Sequence, residues 1–267
     1  MQHAIITGGS SGIGKAIASL LIQQGYNISL IARRPELLEQ TKQILEKDFV
    51  NADQQIECFP ADVSKRELIT PAVEGAIAKL GAPDLLITSA GIAVPGYFEE
   101  IPVEVFEQTM AVNYFGTLYA IRTALPSMRE QKKGRIVIIS SGAALIGLYG
   151  YTPYSPSKFA LRGLAESLRG ELKCFGIGVS IVYPPDTDTP QLVAENKTKP
   201  EETKQITGTA EMWEPEKVAA TILKGIEKEK FTITPGMEIA LLNRLHSLLA
   251  PVLNWYFDGI VRKVRGS

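Results

Sequence analysis

Two patterns of apolar and polar positions alternate along the chain. Short runs rich in β-branched residues predict strands, and longer segments with apolar residues every three to four positions predict amphipathic helices. Several predicted strands are almost continuously apolar, as expected when both faces of a parallel sheet are covered. The predicted strands span residues 5–7, 28–32, 55–60, 85–89, 135–140, 179–183 and 231–234, and the predicted helices span residues 15–24, 35–48, 66–80, 103–130, 157–175 and 214–228.

This regular alternation predicts βαβ units with right-handed crossovers. Gly25, Gly81 and Gly176 each follow a predicted helix, where a left-handed C-terminal cap favours glycine. We therefore expect an α/β fold, a single-domain Rossmann-type doubly wound parallel sheet with helices on both faces. Residues 1–235 would form this domain.

One segment inside the domain, residues 189–213, departs from the alternation. It is irregular, rich in Lys, Glu and Thr, and lies between a predicted strand and a predicted helix. Ligands bind at the carboxyl edge of such sheets, which favours a substrate-covering lid. An ordinary solvated loop is an equal alternative.

The C-terminal segment, residues 236–267, is predicted to be an apolar helical extension in which Pro251 breaks the helix. Arg262, Lys263 and Arg265 follow its apolar part. Three interpretations stay open: a core or dimer-interface helix pair, an anchor at a membrane surface, or a wall of a substrate tunnel.

Composition and charge narrow the function classes. The 267 residues are 45% hydrophobic and 21% charged, which is typical of globular proteins. The net charge of −1 provides no positive field for nucleic acid, so no nucleic-acid partner is expected. No residues have metal-ligand spacing, so no metal site is expected. Cys58 and Cys174 stand far apart among apolar neighbours and are expected to be buried free thiols.

Targeting signals are also absent from the sequence pattern. The chain opens on an apolar run without a preceding charged region, and it contains no stretch of 18 uncharged apolar residues. Neither a secretory signal nor a transmembrane helix is therefore predicted. We expect a cytoplasmic protein whose C-terminal segment is its candidate for peripheral contact with a membrane surface.

A glycine-rich loop follows the first predicted strand. Residues 7–14 read Thr-Gly-Gly-Ser-Ser-Gly-Ile-Gly, and a predicted helix begins at once. Glycines allow the backbone to approach a pyrophosphate, and the helix N-terminus supplies free N–H groups. The strand–turn–helix context therefore predicts a dinucleotide site. Its predicted contacts are Gly8, Ser10, Ser11, Gly12, Ile13 and Gly14.

The end of the second predicted strand indicates which dinucleotide binds. Residues 30–34 read Leu-Ile-Ala-Arg-Arg and contain no acid. A carboxylate there would bind the ribose 2′-hydroxyl of NADH, whereas a guanidinium matches the 2′-phosphate of NADPH. With the nearby hydroxyls of Ser10 and Ser11, Arg33 predicts NADPH as the cofactor.

Candidate catalytic groups follow the fifth predicted strand. Tyr154 and Lys158 stand four residues apart and would share one face of a helix. A phenol has a pKa near 10, and a neighbouring ammonium should lower it toward the range useful for acid–base catalysis. Ser141, thirteen residues before Tyr154, could hold a substrate carbonyl with its hydroxyl.

Together these motifs resemble the short-chain dehydrogenase/reductase family over residues 3–235. The resemblance implies that Tyr154 protonates a carbonyl oxygen as hydride arrives from the nicotinamide. It also implies that Lys158 lowers the tyrosine pKa and holds the ribose hydroxyls. Ser141 would orient the substrate, and Asn113 would support a proton-relay water. The matching positions are residues 7–14, Asp62, Val63, Ala90, Gly91, Asn113, Ser141, Tyr154 and Lys158.

The resemblance further implies cofactor contacts in three loops. Asp62 and Val63 would contact the adenine, and Ala90 and Gly91 would line the cofactor. Pro184 and Thr187 would contact it from the loop after the sixth strand. Two departures from the family pattern occur: Thr88-Ser89 where Asn-Asn is common, and Pro185 where glycine is usual. Pro185 has no N–H, so nicotinamide contacts there should differ from the usual ones.

Residues 154–166 and 183–203 are similar to family members that reduce the 3-keto group of a long-chain sphingoid base. This resemblance implies NADPH-dependent reduction of a lipid-like ketone by a homo-oligomer, either a dimer or a tetramer. Apolar residues within 94–98 and 145–151 could line an apolar slot or simply pack. Alternatives are a 3-oxoacyl thioester or other small ketone as substrate and, in another class, a non-catalytic NADPH-binding sensor.

Overall fold

The computed structural model describes residues 1–208 and 211–266. Across these ranges seven parallel strands form one sheet, in the order β3-β2-β1-β4-β5-β6-β7. The strands are β1 (His3–Thr7), β2 (Asn27–Ala32), β3 (Ile56–Pro60), β4 (Leu85–Thr88), β5 (Gly134–Ile139), β6 (Ile177–Val182) and β7 (Thr232–Ile233).

Helices connect the strands and cover the sheet on both faces. The α-helices are α1 (Gly12–Gln23), α2 (Pro35–Leu45), α3 (Arg66–Leu80), α4 (Val103–Met110), α5 (Gly116–Glu130), α6 (Tyr154–Lys173), α7 (Pro190–Glu195), α8 (Glu201–Thr207), α9 (Pro215–Glu227) and α10 (Met237–Arg265).

The sheet separates two hydrophobic clusters. Ile5 of β1 contributes to one cluster, with side chains from α3, α5 and α6, whereas Ala4 and Ile6 contribute to the other, with side chains from α1, α2 and α9. Consecutive strand residues point to opposite faces, so continuously apolar strands are buried on both sides. The predicted doubly wound parallel sheet is confirmed.

The strand order places a crevice at the centre of the sheet. β1 pairs with β2 on one side and with β4 on the other, and Thr7 lies opposite both Ile31 and Thr88. The chain winds outward in opposite directions from this point, so the connections after β1 and β4 diverge. Such a switch point is where doubly wound folds bind their ligands.

The predicted helix over 103–130 contains a π-helical segment, Ala111–Phe115, between α4 and α5. Asn113 lies within this segment. Wider turns of this kind are rare and often occur at functional sites. The periodicity predicted the helix but gave no sign of the local change in winding.

The lid segment is more regular than the sequence suggested. It contains α7 and α8, and backbone bonds between Asp186, Asp188 and Trp213 tie its two ends together. The side chain of Thr189 caps α7 by accepting from the N–H of Leu192 at 3.3 Å. Residues 209 and 210 of the predicted lid lie outside the described residues.

The C-terminal extension corrects another expectation, because α10 runs through Pro251 as one helix. Pro251 removes the bond to the carbonyl of Ser247, but both residues are exposed, so water can satisfy that carbonyl. No residue of α10 is buried, which excludes the core interpretation, although Ile239 and Leu242 pack partly against the core. Residue 267 lies outside the described residues.

The two cysteines are free thiols, but only one is partly covered. Burial raises the pKa of the half-buried Cys58 to about 11. Cys174 is exposed, which contradicts the expectation that both are buried. It lies at the C-terminal cap of α6.

The structure also bears on membrane topology. In residues 1–208 and 211–266, no helix is both long enough and apolar enough to cross a bilayer.

Candidate active site

A cavity of about 870 Å³ opens at the carboxyl edge of the sheet, between the loops after β1 to β6 and the lid helix α7. It gathers most of the side chains predicted from the sequence. Gly14 and Asn113 are the predicted site residues that do not line it. Those that do are Gly8, Ser10, Ser11, Gly12, Ile13, Arg33, Asp62, Val63, Ala90, Gly91, Ser141, Tyr154, Lys158, Pro184 and Thr187.

The glycine loop is built by close backbone contacts. Gly8 has φ +70°, and a Cβ there would stand 2.7 Å from the amide nitrogen of Ala90. A side chain on Gly14 would collide with the carbonyl of Gly8, so Gly14 packs α1 against the loop from behind. The loop therefore tolerates only glycine at both points.

The first turn of α1 borders the cavity. α1 begins at Gly12, three residues before the predicted start, and Gly12 and Ile13 line the cavity. The Ser11 hydroxyl makes no capping bond to this turn. Free N–H groups and the positive end of the helix dipole are thus available to an anion.

Arg33 and Arg34 lie at the same end of the cavity. Both are exposed, and neither forms an ion pair with a carboxylate in the part of the chain that the structure describes. Ser10 and Ser11 line the cavity beside them. This arrangement suits a phosphate, which a guanidinium binds with two parallel hydrogen bonds.

The Asp62 loop is fixed by a local turn. The Asp62 carboxylate accepts from the N–H of Ser64 at 3.0 Å and from the Ser64 hydroxyl at 2.8 Å. On the β4 side, the N–H of Ala90 donates to the Thr7 hydroxyl at 3.4 Å. These bonds hold two loops at the cavity edge.

Tyr154 and Lys158 form the buried floor of the cavity, with exposures of 8% and 5%. The Lys158 ammonium donates to the carbonyl of Ile139 at 3.2 Å and lies 5.4 Å from the centroid of the Tyr154 ring. The Ser141 hydroxyl accepts from the N–H of Ala143 at 3.1 Å and also approaches the Tyr154 hydroxyl. Ser141, Tyr154 and Lys158, which are separated along the chain, thus lie together in the structure.

The pKa of Tyr154 differs from the expectation. Burial raises it above the ordinary value and the nearby Glu195 carboxylate raises it further, while Ser141 and Gln191 oppose the change. Burial lowers the pKa of Lys158 to about 8, against an opposing effect of Glu195. The expected lowering of the tyrosine pKa by Lys158 is therefore wrong for the protein alone, because desolvation dominates. Tyr154 is a neutral phenol that carries a proton.

Asn113 is fully buried beside the cavity and not on its surface. Its side-chain oxygen accepts from the N–H of Ile92 at 2.9 Å, and its nitrogen donates to the carbonyl of Ile92 at 3.0 Å and to the Ser157 hydroxyl at 2.9 Å. Its amide thereby connects the loop after β4 to helix α6.

A second polar cluster, which the sequence did not predict, lies on the lid side of the cavity. Glu195 accepts from the Tyr151 hydroxyl at 2.7 Å and from the Gln191 amide at 2.8 Å. Thr189 followed by Pro190 is a recognisable helix start, and a helix there places Gln191 and Glu195 on one face. That local signal was available, whereas nothing in the sequence connected Glu195 with Tyr151.

A further buried acid ties the lid to the end of α10. Glu202 of α8, 1% exposed, accepts from the Arg265 guanidinium at 2.9 Å and from the Tyr97 hydroxyl at 3.1 Å. The Tyr149 hydroxyl completes the cluster at 3.4 Å. The basic residue expected near membrane headgroups is thus partly engaged within the protein.

The predicted apolar slot is only partly formed by the expected residues. Val94, Leu148 and Tyr151 line the cavity. Leu145 belongs to the hydrophobic core, and Phe98 is 69% exposed.

The family model for short chain dehydrogenases matches residues 2–200. The 3-dehydrosphinganine reductase of Danio rerio is 45% identical over 251 residues, which cover 94% of this chain and 76% of that protein. The 3-ketodihydrosphingosine reductase of Bos taurus is 43% identical with the same coverage. That of Dictyostelium discoideum is 39% identical over 271 residues, covering 96% of this chain and 81% of that protein.

Solved structures agree in fold. A short-chain dehydrogenase/reductase from Burkholderia phymatum, in complex with NAD, has a TM-score of 0.82 at 22% identity and 94% coverage of both chains. A short-chain dehydrogenase from Streptomyces avermitilis has a TM-score of 0.79 at 28% identity and 96% coverage of both. With the glycine loop and the Tyr154 cluster in one cavity, the chain belongs to the short-chain dehydrogenase/reductase family.

Proposed function

We propose that this protein is an NADPH-dependent reductase that converts 3-ketodihydrosphingosine to dihydrosphingosine. The observation that carries the proposal is the meeting of Tyr154, Ser141 and Lys158 in the same cavity as the glycine loop. The relatives with 39–45% identity, named as reductases of this ketone, support the choice of substrate.

The residues present fit a dinucleotide with a 2′-phosphate. Gly8 and Gly12 keep the loop free of side chains where a pyrophosphate would lie, and Arg33 with Ser10 and Ser11 would hold the phosphate on the ribose. Asp62, Val63, Ala90, Gly91, Pro184 and Thr187 would line the remaining length. When bound, NADPH supplies the hydride that reduces the carbonyl carbon.

Residues of this chain supply the proton that the carbonyl oxygen receives. Tyr154, neutral because burial raises its pKa, donates its proton to the carbonyl oxygen as negative charge develops there. Ser141 donates a hydrogen bond to the same oxygen, and the Lys158 ammonium stabilises the phenolate that remains. The ketone thus leaves as a secondary alcohol. Asn113 fixes the loop after β4 against α6 and would support a proton-relay water nearby.

The exposed apolar face of α10 suits a protein that takes its lipid substrate from a membrane surface. Leu248 is 74% exposed and Trp255 is 76% exposed, and the last turns carry the exposed Arg262 and Lys263, whereas Arg265 pairs with Glu202. We propose that residues 236–267 extend the catalytic domain of residues 1–235 and bring a cytoplasmic protein into peripheral contact with anionic membranes. A homo-oligomer, dimer or tetramer, is the alternative partner for this face.

NADPH consumption by the purified protein tests the activity. We expect turnover with 3-ketodihydrosphingosine, and none with an acetoacetyl thioester. Reaction with the thioester alone would instead indicate a 3-oxoacyl reductase. Binding of NADPH without turnover of either ketone would indicate the sensor function.

Replacing Arg33 tests the cofactor choice. Arg33→Ala should raise the KM for NADPH by roughly 10- to 100-fold, the value of one charge-assisted contact, and leave NADH kinetics unchanged. Arg122→Ala, on the exposed surface of α5, is the matched control. Equal effects on both cofactors would contradict NADPH selection by Arg33.

Vesicle flotation tests the membrane contact. Leu248→Asp with Trp255→Asp should abolish binding to vesicles that contain anionic lipid, without changing the oligomer measured by light scattering. If the double variant instead dissociates an oligomer while vesicle binding was never present, the face is a subunit interface.

A further inference from the structure

The lid carries a buried carboxylate, Glu195, that has no cationic partner at contact distance among the residues that the structure describes. Glu195 is 7% exposed, yet within residues 1–208 and 211–266 it forms no ion pair with lysine, arginine or histidine. Lys199 of the lid lies with its ammonium 5.9 Å from the centroid of the Tyr151 ring and forms no ion pair with Glu195. Acidic side chains are rarely buried unless they are paired.

The carboxylate retains unused hydrogen-bonding capacity. Tyr151 donates to one oxygen and Gln191 donates to the other, at 2.7 and 2.8 Å. An ionised carboxylate has about four acceptor sites, so roughly two are open. Glu195 lines the same cavity as Tyr154, so a ligand in that cavity can reach the open acceptor sites of the carboxylate.

Glu195 lies close to the reacting centre. The Gln191 amide donates to Glu195 at 2.8 Å and also lies near the Tyr154 hydroxyl, so it stands between the two. After burial, the charge of Glu195 is the largest influence on the pKa of both Tyr154 and Lys158. A small bifunctional group could therefore contact Tyr154 at one end and Glu195 at the other.

The substrate of the proposed function is such a group. The carbon next to its carbonyl group carries a primary amine. The distance between the carbonyl oxygen and the amine nitrogen is therefore about the length of one amide group. An amine beside a carbonyl, as at a peptide N-terminus, has a pKa of about 7.7–8.0 and is mostly protonated at neutral pH.

We propose that Glu195, held by Tyr151 and Gln191, binds the ammonium group of an α-amino ketone whose carbonyl oxygen lies at Tyr154. This inference rests on the proposed function and names the feature of the substrate that the lid recognises. The ammonium of the substrate would form the contact ion pair that Glu195 does not make with any described residue.

Recognition of this kind selects against ketones without an amine. A 3-oxoacyl thioester would leave the Glu195 carboxylate buried and unpaired, which is costly. Sites built to pair with a polar substrate group reject analogues that lack it much more strongly than apolar pockets reject a missing methylene.

The test compares two ketones of equal chain length, 3-ketodihydrosphingosine and 1-hydroxyoctadecan-3-one, in the wild type and in Glu195→Gln. We expect kcat/KM for the amino ketone to fall roughly 10- to 100-fold, the value of one charge-assisted contact. The amine-free ketone should lose nothing. Glu201→Gln, an exposed lid glutamate that pairs with Lys204, is the control and should change neither substrate.

The outcomes separate the two proposals. Equal losses for both ketones in Glu195→Gln, or a wild type that does not prefer the amino ketone, would overturn the role of Glu195 and leave the reductase activity standing. A wild type that reduces neither ketone would overturn the proposed function and, with it, this inference. NADPH binding, followed by cofactor fluorescence, should be unchanged in Glu195→Gln, which verifies that the variant is folded. If the variant does not fold, a wild type without preference for the amino ketone still overturns the role of Glu195.

Discussion

The cavity has two ends that are built in different ways. At the cofactor end, residues 7–14 form a continuous loop whose shape comes from the backbone, with Gly8 packed on Ala90 and Gly14 behind Gly8. At the lid end, the shape comes from hydrogen bonds between distant side chains. Tyr151 donates to Glu195, 44 positions away, and both line the cavity. Glu202 accepts from Arg265, 63 positions away, and this bond holds the lid from outside the cavity lining.

The two ends of the cavity therefore have different functions, cofactor binding at one and substrate recognition at the other. Backbone N–H groups at a helix N-terminus bind phosphate in many unrelated proteins, so the cofactor end can be generic. A substrate is distinguished by its particular polar groups, and these must be matched by side chains placed in three dimensions. Tyr154 and Lys158, on α6, lie where the two ends meet.

Removing the Tyr154 hydroxyl should have the largest effect. Tyr154→Phe is expected to lower kcat roughly 10³-fold because the proton donor is lost, and to leave the Kd for NADPH unchanged because the ring remains packed. Steady-state kinetics and cofactor titration measure the two quantities. Tyr26→Phe, at the amino edge of the sheet beside Asp84, is the control. Loss of NADPH binding in Tyr154→Phe would show that the two ends are not separable.

Lys158 should make stability depend on pH. Its folded-state pKa of about 8 lies below the ordinary 10.5, so between these values the unfolded chain binds the extra proton and wild-type stability rises with pH. Lys158→Met removes the buried ammonium. It should therefore be more stable than the wild type at pH 7, by up to about 3 kcal/mol, and this advantage should vanish near pH 10.5.

Urea unfolding at pH 7 and at pH 10 measures this difference. Lys173→Met, on the exposed end of α6, should show no such dependence. A constant difference between Lys158→Met and the wild type across that range would contradict the lowered pKa. The variant should also lose turnover, since the Tyr154 phenolate is then unstabilised.

Adding one methyl group to the glycine loop should lower the stability of the protein and weaken cofactor binding. Gly8→Ala forces a side chain into φ +70° and against the backbone of Ala90, and should cost about 1–3 kcal/mol of unfolding free energy and weaken NADPH binding. Gly163→Ala, in α6 with open space around it, should instead stabilise by about 0.5–1 kcal/mol. Thermal or urea unfolding tests both, and equal responses would show that the loop is not constrained.

The smallest effect on stability is expected on α10. Leu248→Gln and Trp255→Gln each should change the unfolding free energy by less than about 0.5 kcal/mol, since both side chains are largely exposed. Leu161→Ala in the core, by comparison, should cost about 2–5 kcal/mol. A large loss from either α10 substitution would show that this face is covered in the native assembly.

The amino-acid sequence determined the strands, the glycine loop and the Tyr154–Lys158 pair, because each depends on neighbours within a few positions. The parallel sheet followed from the alternation of strands and helices, which permits few topologies. Periodicity reports burial of a strand or helix face, and a loop that needs glycine at fixed places leaves a readable motif. The continuity of α10 through Pro251 was not readable, because it depends on whether water reaches the carbonyl of Ser247.

Only the tertiary structure decided the protonation states of the site residues and the burial and contacts of the lid residues. Burial of Tyr154 and Lys158 moves their pKa values in directions opposite to those that a simple pair would give. Glu195 and Glu202 look like solvated lid residues in the sequence, yet both are buried among tyrosines. Desolvation and contacts between distant residues depend on how the elements pack, and no local pattern of residues encodes them.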